Sequence, residues 1–151
     1  MDFTRASFEA AVASRLLPLA RSWRRLADAA LEERGVSAAD GWALTHIARL
    51  APDVRQVDLA EAMEIAPPSL VPLLARLEEA GLVTRIVDPQ DRRTRRVALT
   101  ERAGPIVTGI EQSLAALRRR VLADIDDDRL AGLAAALAEM SETAAALRGA
   151  S

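Results

Sequence analysis

The chain has 151 residues, 50% of them apolar and 28% charged, with a formal net charge of −2; this suits one compact domain or two small units sharing a core. It contains no cysteine and a single histidine, His46, which excludes disulfides, thiolate metal sites and iron–sulfur ligation and rules out a multi-histidine metal centre. With no glycine-rich phosphate loop or paired-carboxylate arrangement, a nucleophile–base pair would have to run through His46, so no enzyme, cofactor or metal is expected.

Every basic residue is Arg and Asn is absent, a coding bias without functional content. The N-terminus lacks a basic region ahead of an apolar stretch, and apolar runs such as Leu133 to Ala138 read as far below a membrane span. A cytoplasmic protein is expected. The near-neutral total hides an asymmetry: Arg85, Arg92, Arg93, Arg95, Arg96 and Arg102 face only Asp88, Asp91 and Glu101, whereas Asp124, Asp126, Asp127, Asp128, Glu139 and Glu142 crowd the C-terminal quarter.

Periodicity predicts six helices and one hairpin. Phe8, Val12, Leu16, Ala20, Trp23, Ala27, Ala30 and Leu31 recur every three or four residues, a long amphipathic helix that ends at Gly35 and is kinked, or begun, by Pro18. Ser37 and Asp40 form a capping signal for a second helix carrying Trp42, Ile47 and Leu50 and closed by Pro52. A short helix from about Gln56 to Met63, a tight turn at Glu64 and Ile65, and a helix opened by Pro67 and Pro68 and ended by Gly81 make a helix-turn-helix candidate. The period then changes. Leu82, Val83, Ile86 and Val87 read as one strand, Val97 and Leu99 as another, with the turn-rich loop Asp88 to Arg93 between them. Thr100 reads as the N-cap of a fifth helix and Asp126 as that of a sixth, with Asp127 and Asp128 at the positive end of its dipole. The fold class is mainly α with a small β-wing: a winged helix-turn-helix at 36–100 flanked by helices at 1–35 and 101–151.

On the fourth helix, about 67–80, Leu70, Val71, Leu74 and Leu77 are expected to point inward, leaving Pro68, Ser69, Pro72, Leu73 and Arg76 outward. Such a face enters the DNA major groove, where Arg76 reaches a guanine edge or phosphate, Ser69 donates to either, and Pro68 and Leu73 offer apolar contact of the thymine-methyl kind. Arg92 and Arg93, at the tip of the wing of 82–99, suit an A·T-rich minor groove. Gln56 at the start of the third helix, Arg85, Asp91 and Arg95 complete the expected DNA-facing set.

The stretch Asp91-Arg92-Arg93-Thr94-Arg95-Arg96-Val97-Ala98-Leu99-Thr100 resembles the wing signature of the MarR family of bacterial transcriptional regulators, within it the SlyA-like group. Gln56-Val57-Asp58-Leu59-Ala60, Pro68-Ser69-Leu70-Val71 and Leu77 to Arg85 resemble its third helix, recognition helix and first wing strand. The resemblance implies a minor-groove role for Arg93, oriented by Asp91 through a carboxylate–guanidinium pair. It also implies a homodimer in which the terminal helices interlock and two recognition helices meet double-stranded DNA at a pseudo-palindrome, as a repressor. A small aromatic or phenolic ligand, held by Arg21, Trp42 and His46 in a crevice beside the dimerisation helices, would release the DNA. Two departures stand out: Pro72 replaces a recognition-helix arginine, and Glu64 occupies a turn position where the family usually has Gly, predicting a different or strained turn. The alternative is a winged-helix dimer serving protein–protein interaction with weakened DNA binding.

Overall fold

The computed structural model describes residues 4–50, 52–88, 91 and 94–149. The elements run α1 (Arg5–Glu32), α2 (Ala38–Leu50), β1 (Val54–Arg55), α3 (Gln56–Ala62), α4 (Pro67–Glu79), β2 (Val83–Val87), β3 (Arg95–Leu99), α5 (Ala103–Val121) and α6 (Asp127–Gly149). The chain divides into two compact units, Met1–Ala115 and Ala116–Ser151.

In the first unit, Thr4 caps α1 by accepting from the Ser7 amide, and the helix continues through Pro18. Of its apolar stripe only Ala27 and Leu31 are buried; Phe8, Val12 and Leu16 are exposed. Leu31 lies against Gly41 of α2, where a Cβ would sit 3.1 Å from a Leu31 methyl, so the two helices pack at a distance that leaves little room for a larger residue. Ser37 caps α2 as predicted, its hydroxyl accepting from the Asp40 amide at 3.2 Å.

The sheet has the order β1-β3-β2, antiparallel throughout. β1, only two residues long and too short to show a period, is the strand the sequence reading missed; it pairs Val54 with Val97 and Arg55 with Arg96. Val54, Val83 and Val97 are buried together with Leu44, Ile47, Leu59, Leu70, Leu74 and Leu77, and this is the core that fixes α4. Gly81, at φ +69, ends α4 with a Leu82 amide to Leu77 carbonyl bond of 2.9 Å, turning the chain straight into β2.

Thr100 does not cap α5. Its hydroxyl donates to the Gly81 carbonyl at 2.7 Å and its amide to the Leu82 carbonyl, so it locks the base of the wing, and α5 starts three residues later. In α5, Ala103, Ile110 and Leu114 are buried, and Arg34–Ser113 (2.8 Å) and Arg49–Glu111 (3.1 Å) bonds tie it to the rest of the first unit.

The second unit holds the end of α5, a turn, and α6, which Asp126 caps by accepting from the Arg129 amide at 2.9 Å. No residue of α6 is buried, and Leu133, Leu137, Met140 and Leu147 are exposed. By length and composition alone this helix could cross a membrane, although its apolar runs, such as Leu133 to Ala138, are short. Alanines carry that property, and Glu139 and Glu142 within the helix would be costly in hydrocarbon.

Candidate nucleic-acid interface

α3 and α4 are joined by a turn in which Glu64 takes φ +55, a left-handed conformation for a residue with a Cβ. The strained turn predicted at this position is therefore present. Pro67 and Pro68 open α4 where no amide partner is needed. The helix runs on through Pro72, whose missing N–H leaves the Pro68 carbonyl without that helical bond.

The burial pattern corrects the expected faces of α4. Leu73 is only 6% exposed and joins Leu70, Leu74 and Leu77 inside, whereas Val71 is 52% exposed. The two positions lie about 200° apart on the helix, and the buried spacing of i, i+3, i+4 and i+7 includes 73 and excludes 71. Pro68, Ser69, Pro72 and Arg76 are exposed as expected. Arg76 is tied to Asp40 of α2 at 2.9 Å, a longer-range partner than the helical neighbour Glu79.

Ion pairs also hold the arginines of the sheet. Arg55 and Arg96 face each other across β1 and β3, and this like-charged juxtaposition is relieved on both sides. Arg55 forms a bidentate pair with Asp58 at 2.7 and 2.8 Å; Arg96 bonds Asp88 at 2.7 Å and Asp53 at 2.9 Å. The Asp58 and Asp88 hydrogen bonds, respectively, push the Arg55 and Arg96 guanidiniums above their ordinary range. Arg85 on β2 is held the same way by Glu78 at the end of α4, through its Nε at 2.8 Å and a second contact from Nη2, and that bond lowers the Glu78 carboxyl. It thus braces β2 against α4.

Arg95, at the start of β3, is exposed and makes no ion pair among the described residues. With Arg55, Gln56, Val57 and Thr94 it lines a shallow cleft of about 230 Å³ between α3 and the wing. Asp91 accepts from the Thr94 hydroxyl at 2.9 Å, and the Asp88 amide donates to the Thr94 carbonyl at 3.0 Å, which closes the wing below its tip. Arg92 and Arg93, and so the predicted Asp91–Arg93 pair, lie outside the described residues.

A second concavity of about 240 Å³ is lined by Arg24, Trp42, His46, Met63, Ser69 and Leu73, among others. Trp42 and His46 meet there as expected, with ring centroids 6.3 Å apart. The basic residue is Arg24 and not Arg21, which does not line the crevice. Asp28 decides this: it binds Arg24 Nε at 3.0 Å and accepts from the Trp42 indole N–H at 2.7 Å, bringing the guanidinium 4.6 Å above the indole ring. The resemblance implies a basic residue of α1 here but not which arginine a carboxylate one turn on would hold. Burial, then the charges of Arg49 and Arg24, lower the His46 pKa from 6.5.

Residues 34–94, which span the turn before α2 through the wing, match the model of the MarR family. The chain is 32% identical to the transcriptional regulator PA3341, over 87% of this chain and 96% of that one, with a TM-score of 0.79. It is 26% identical to wild-type MarR from E. coli in its apo form, over 84% of this chain and 94% of that one, with a TM-score of 0.71. A cysteine-to-serine variant of E. coli MarR solved in complex with operator DNA is 25% identical, over 87% of this chain and 95% of that one, with a TM-score of 0.72. Helix-turn-helix, three-stranded wing and flanking helices thus agree in order and extent with these proteins, and the chain belongs to the MarR family of transcriptional regulators, a family of regulators and not of enzymes.

Proposed function

We propose that the protein is a cytoplasmic, homodimeric repressor that binds a pseudo-palindromic operator, with α4 in the major groove and the wing in the adjacent minor groove. The observation that carries this reading is the joint exposure of one face of α4 and of the cleft holding Gln56 and Arg95, on elements braced to each other by the Arg85–Glu78 pair. The solved relative with operator DNA on the same fold supports it. Arg95, free of carboxylates among the described residues, and the wing-tip Arg92 and Arg93 supply the phosphate and minor-groove cations. The helices of 1–35 and 101–151 supply the dimer seam, and 36–100 the DNA-binding unit. The apolar residues of α1 and α6 that the chain leaves exposed support this assignment. Assignment to the SlyA-like group rests on the wing signature of 91–100, with Pro72 as the departure.

Release follows from the crevice of Arg24, Trp42 and His46. A small aromatic anion would exchange with Asp28 for Arg24, drawing the guanidinium off the Trp42 ring so that the ligand stacks there, while touching Ser69 and Leu73 of α4 itself, so binding and recognition-helix placement are coupled. Such a ligand weakens DNA binding only by its differential affinity for the two placements.

Titration of the purified protein against DNA flanking its own gene, at two salt concentrations and beside Arg93→Ala and Arg95→Ala, tests this. Specific binding that falls steeply with salt and weakens in both variants is expected. Absence of any sequence preference, in this DNA and in a genome-wide selection, would overturn it in favour of a protein-interaction module.

A further inference from the structure

The recognition helix carries two apolar stripes of identical spacing. Leu70, Leu73, Leu74 and Leu77 stand at i, i+3, i+4 and i+7 and are buried. Pro68, Val71, Pro72 and Ala75 repeat that spacing two residues out of step, about 200° around the helix, and all four are exposed. A helix that is apolar on both sides is ordinarily covered on both, and the second stripe has no cover within its unit.

The polar inventory of this face is equally distinctive. Between Pro67 and Ala75 the only side chain able to hydrogen-bond is Ser69, and the guanidinium that follows, Arg76, is engaged by Asp40. Base reading by hydrogen bonds in the major groove relies on Arg or Lys bidentate to guanine and on Asn or Gln bidentate to adenine. This helix presents neither amide nor uncommitted guanidinium. The apolar feature that the major groove offers is the C5-methyl group of thymine, which 5-methylcytosine shares.

We propose that α4 selects its operator by pyrimidine C5-methyl groups, which pack on Pro68, Val71, Pro72 and Ala75, while Arg76 stays committed to Asp40 and contributes little to base choice. The inference rests on the DNA-binding reading above and specifies what that reading recognises. DNA is favoured over a protein partner because the stripe occupies the first turns of the second helix of a helix-turn-helix, the part that meets base edges. The cleft of Gln56 and Arg95 opens at the start of α3, the helix joined to α4 by the Glu64 turn.

The test begins with duplexes selected by the full-length protein from a randomised library. The tightest is resynthesised with deoxyuridine replacing each thymine of one half-site, which removes only the methyl group. Affinity is expected to fall about fourfold per recognised methyl, and 5-methylcytosine is expected to bind more tightly than cytosine at those steps. Val71→Ser should narrow the difference between thymine and uracil duplexes by about fourfold, the share of one methyl, Val71→Ile should keep it, and Arg76→Ala should leave sequence preference intact. Arg95→Ala should weaken both duplexes equally. Equal binding of thymine and uracil duplexes, or loss of selectivity in Arg76→Ala, overturns the methyl reading and leaves DNA binding standing. Failure to select any duplex removes the DNA-binding reading itself and assigns the stripe to a protein partner.

Discussion

The leucines of α4 and those of α6 serve opposite ends within one chain. In α4, Leu70, Leu73, Leu74 and Leu77 are enclosed by α2, α3 and the sheet; in α6, Leu133 and Leu137 stand exposed and no residue is buried. Both helices bear aliphatic residues at helical spacing. What differs is the supply of partners: the first unit provides a second layer for its helix and the second does not. Helical periodicity therefore identifies a face that must be covered without identifying what covers it, and in α6 the cover must come from outside its own helix.

That contrast is broken most severely by deleting a core leucine. Leu74 is fully buried, and Leu74→Ala should cost about 2–5 kcal/mol, the range for a buried leucine whose cavity only partly collapses. Urea unfolding followed by circular dichroism measures it. An unchanged midpoint would show that the core around α4 is far looser than its burial indicates. The matching change in the other region, Leu137→Glu, should leave the winged-helix unit as stable as before, because Leu137 is exposed. If α6 forms the proposed seam, it should instead convert the proposed dimer to monomer by light scattering and lower operator affinity at least tenfold, since two half-sites are no longer joined. A variant that remains dimeric would place the seam elsewhere.

A smaller change sharpens the account of the turn between α3 and α4. Glu64→Gly removes the left-handed strain of about 1–2 kcal/mol against a glycine entropy cost of up to about 1 kcal/mol. A net stabilisation of at most about 2 kcal/mol is expected in thermal melts. Destabilisation would mean that the Glu64 side chain contributes a contact larger than its backbone strain.

These contrasts show what was legible in the residues alone. The order of the helices, the wing, and the capping roles of Ser37 and Asp126 all follow from local rules, because each depends on a few adjacent positions, whereas the strain at Glu64 is expected only from the family resemblance. The misreadings are of another kind. Exchanging Val71 with Leu73 arose because α4 is apolar all round, so composition could not say which stripe faces inward. Thr100 looked like a cap because Ser and Thr near a helix start usually are, yet its hydroxyl was recruited by the Gly81 carbonyl 19 residues away in sequence. Arg24 displaced Arg21 in the crevice through a carboxylate that serves two helices at once, and β1 existed only because β3 had a free edge. Each of these is decided by a tertiary neighbour, and spacing along one segment carries no record of it.

The same crevice supplies the smallest expected effect, and one whose sign is fixed. Burial and the nearby Arg49 and Arg24 disfavour the charged imidazole of His46, lowering its pKa in the folded protein from 6.5. The unfolded chain therefore takes up this proton near pH 6.5, whereas the folded protein does so only at lower pH. Between those two values the unfolded state binds more protons, so stability falls as the pH drops and levels off once the folded value is passed. His46 thus contributes a preference for neutral pH that is complete above about 6.5. His46→Gln, which cannot titrate, should flatten the decline in melting temperature between neutral and mildly acidic buffer relative to the wild type. An identical decline in both proteins would detach His46 from the acid sensitivity of the fold and from the energetics of the crevice.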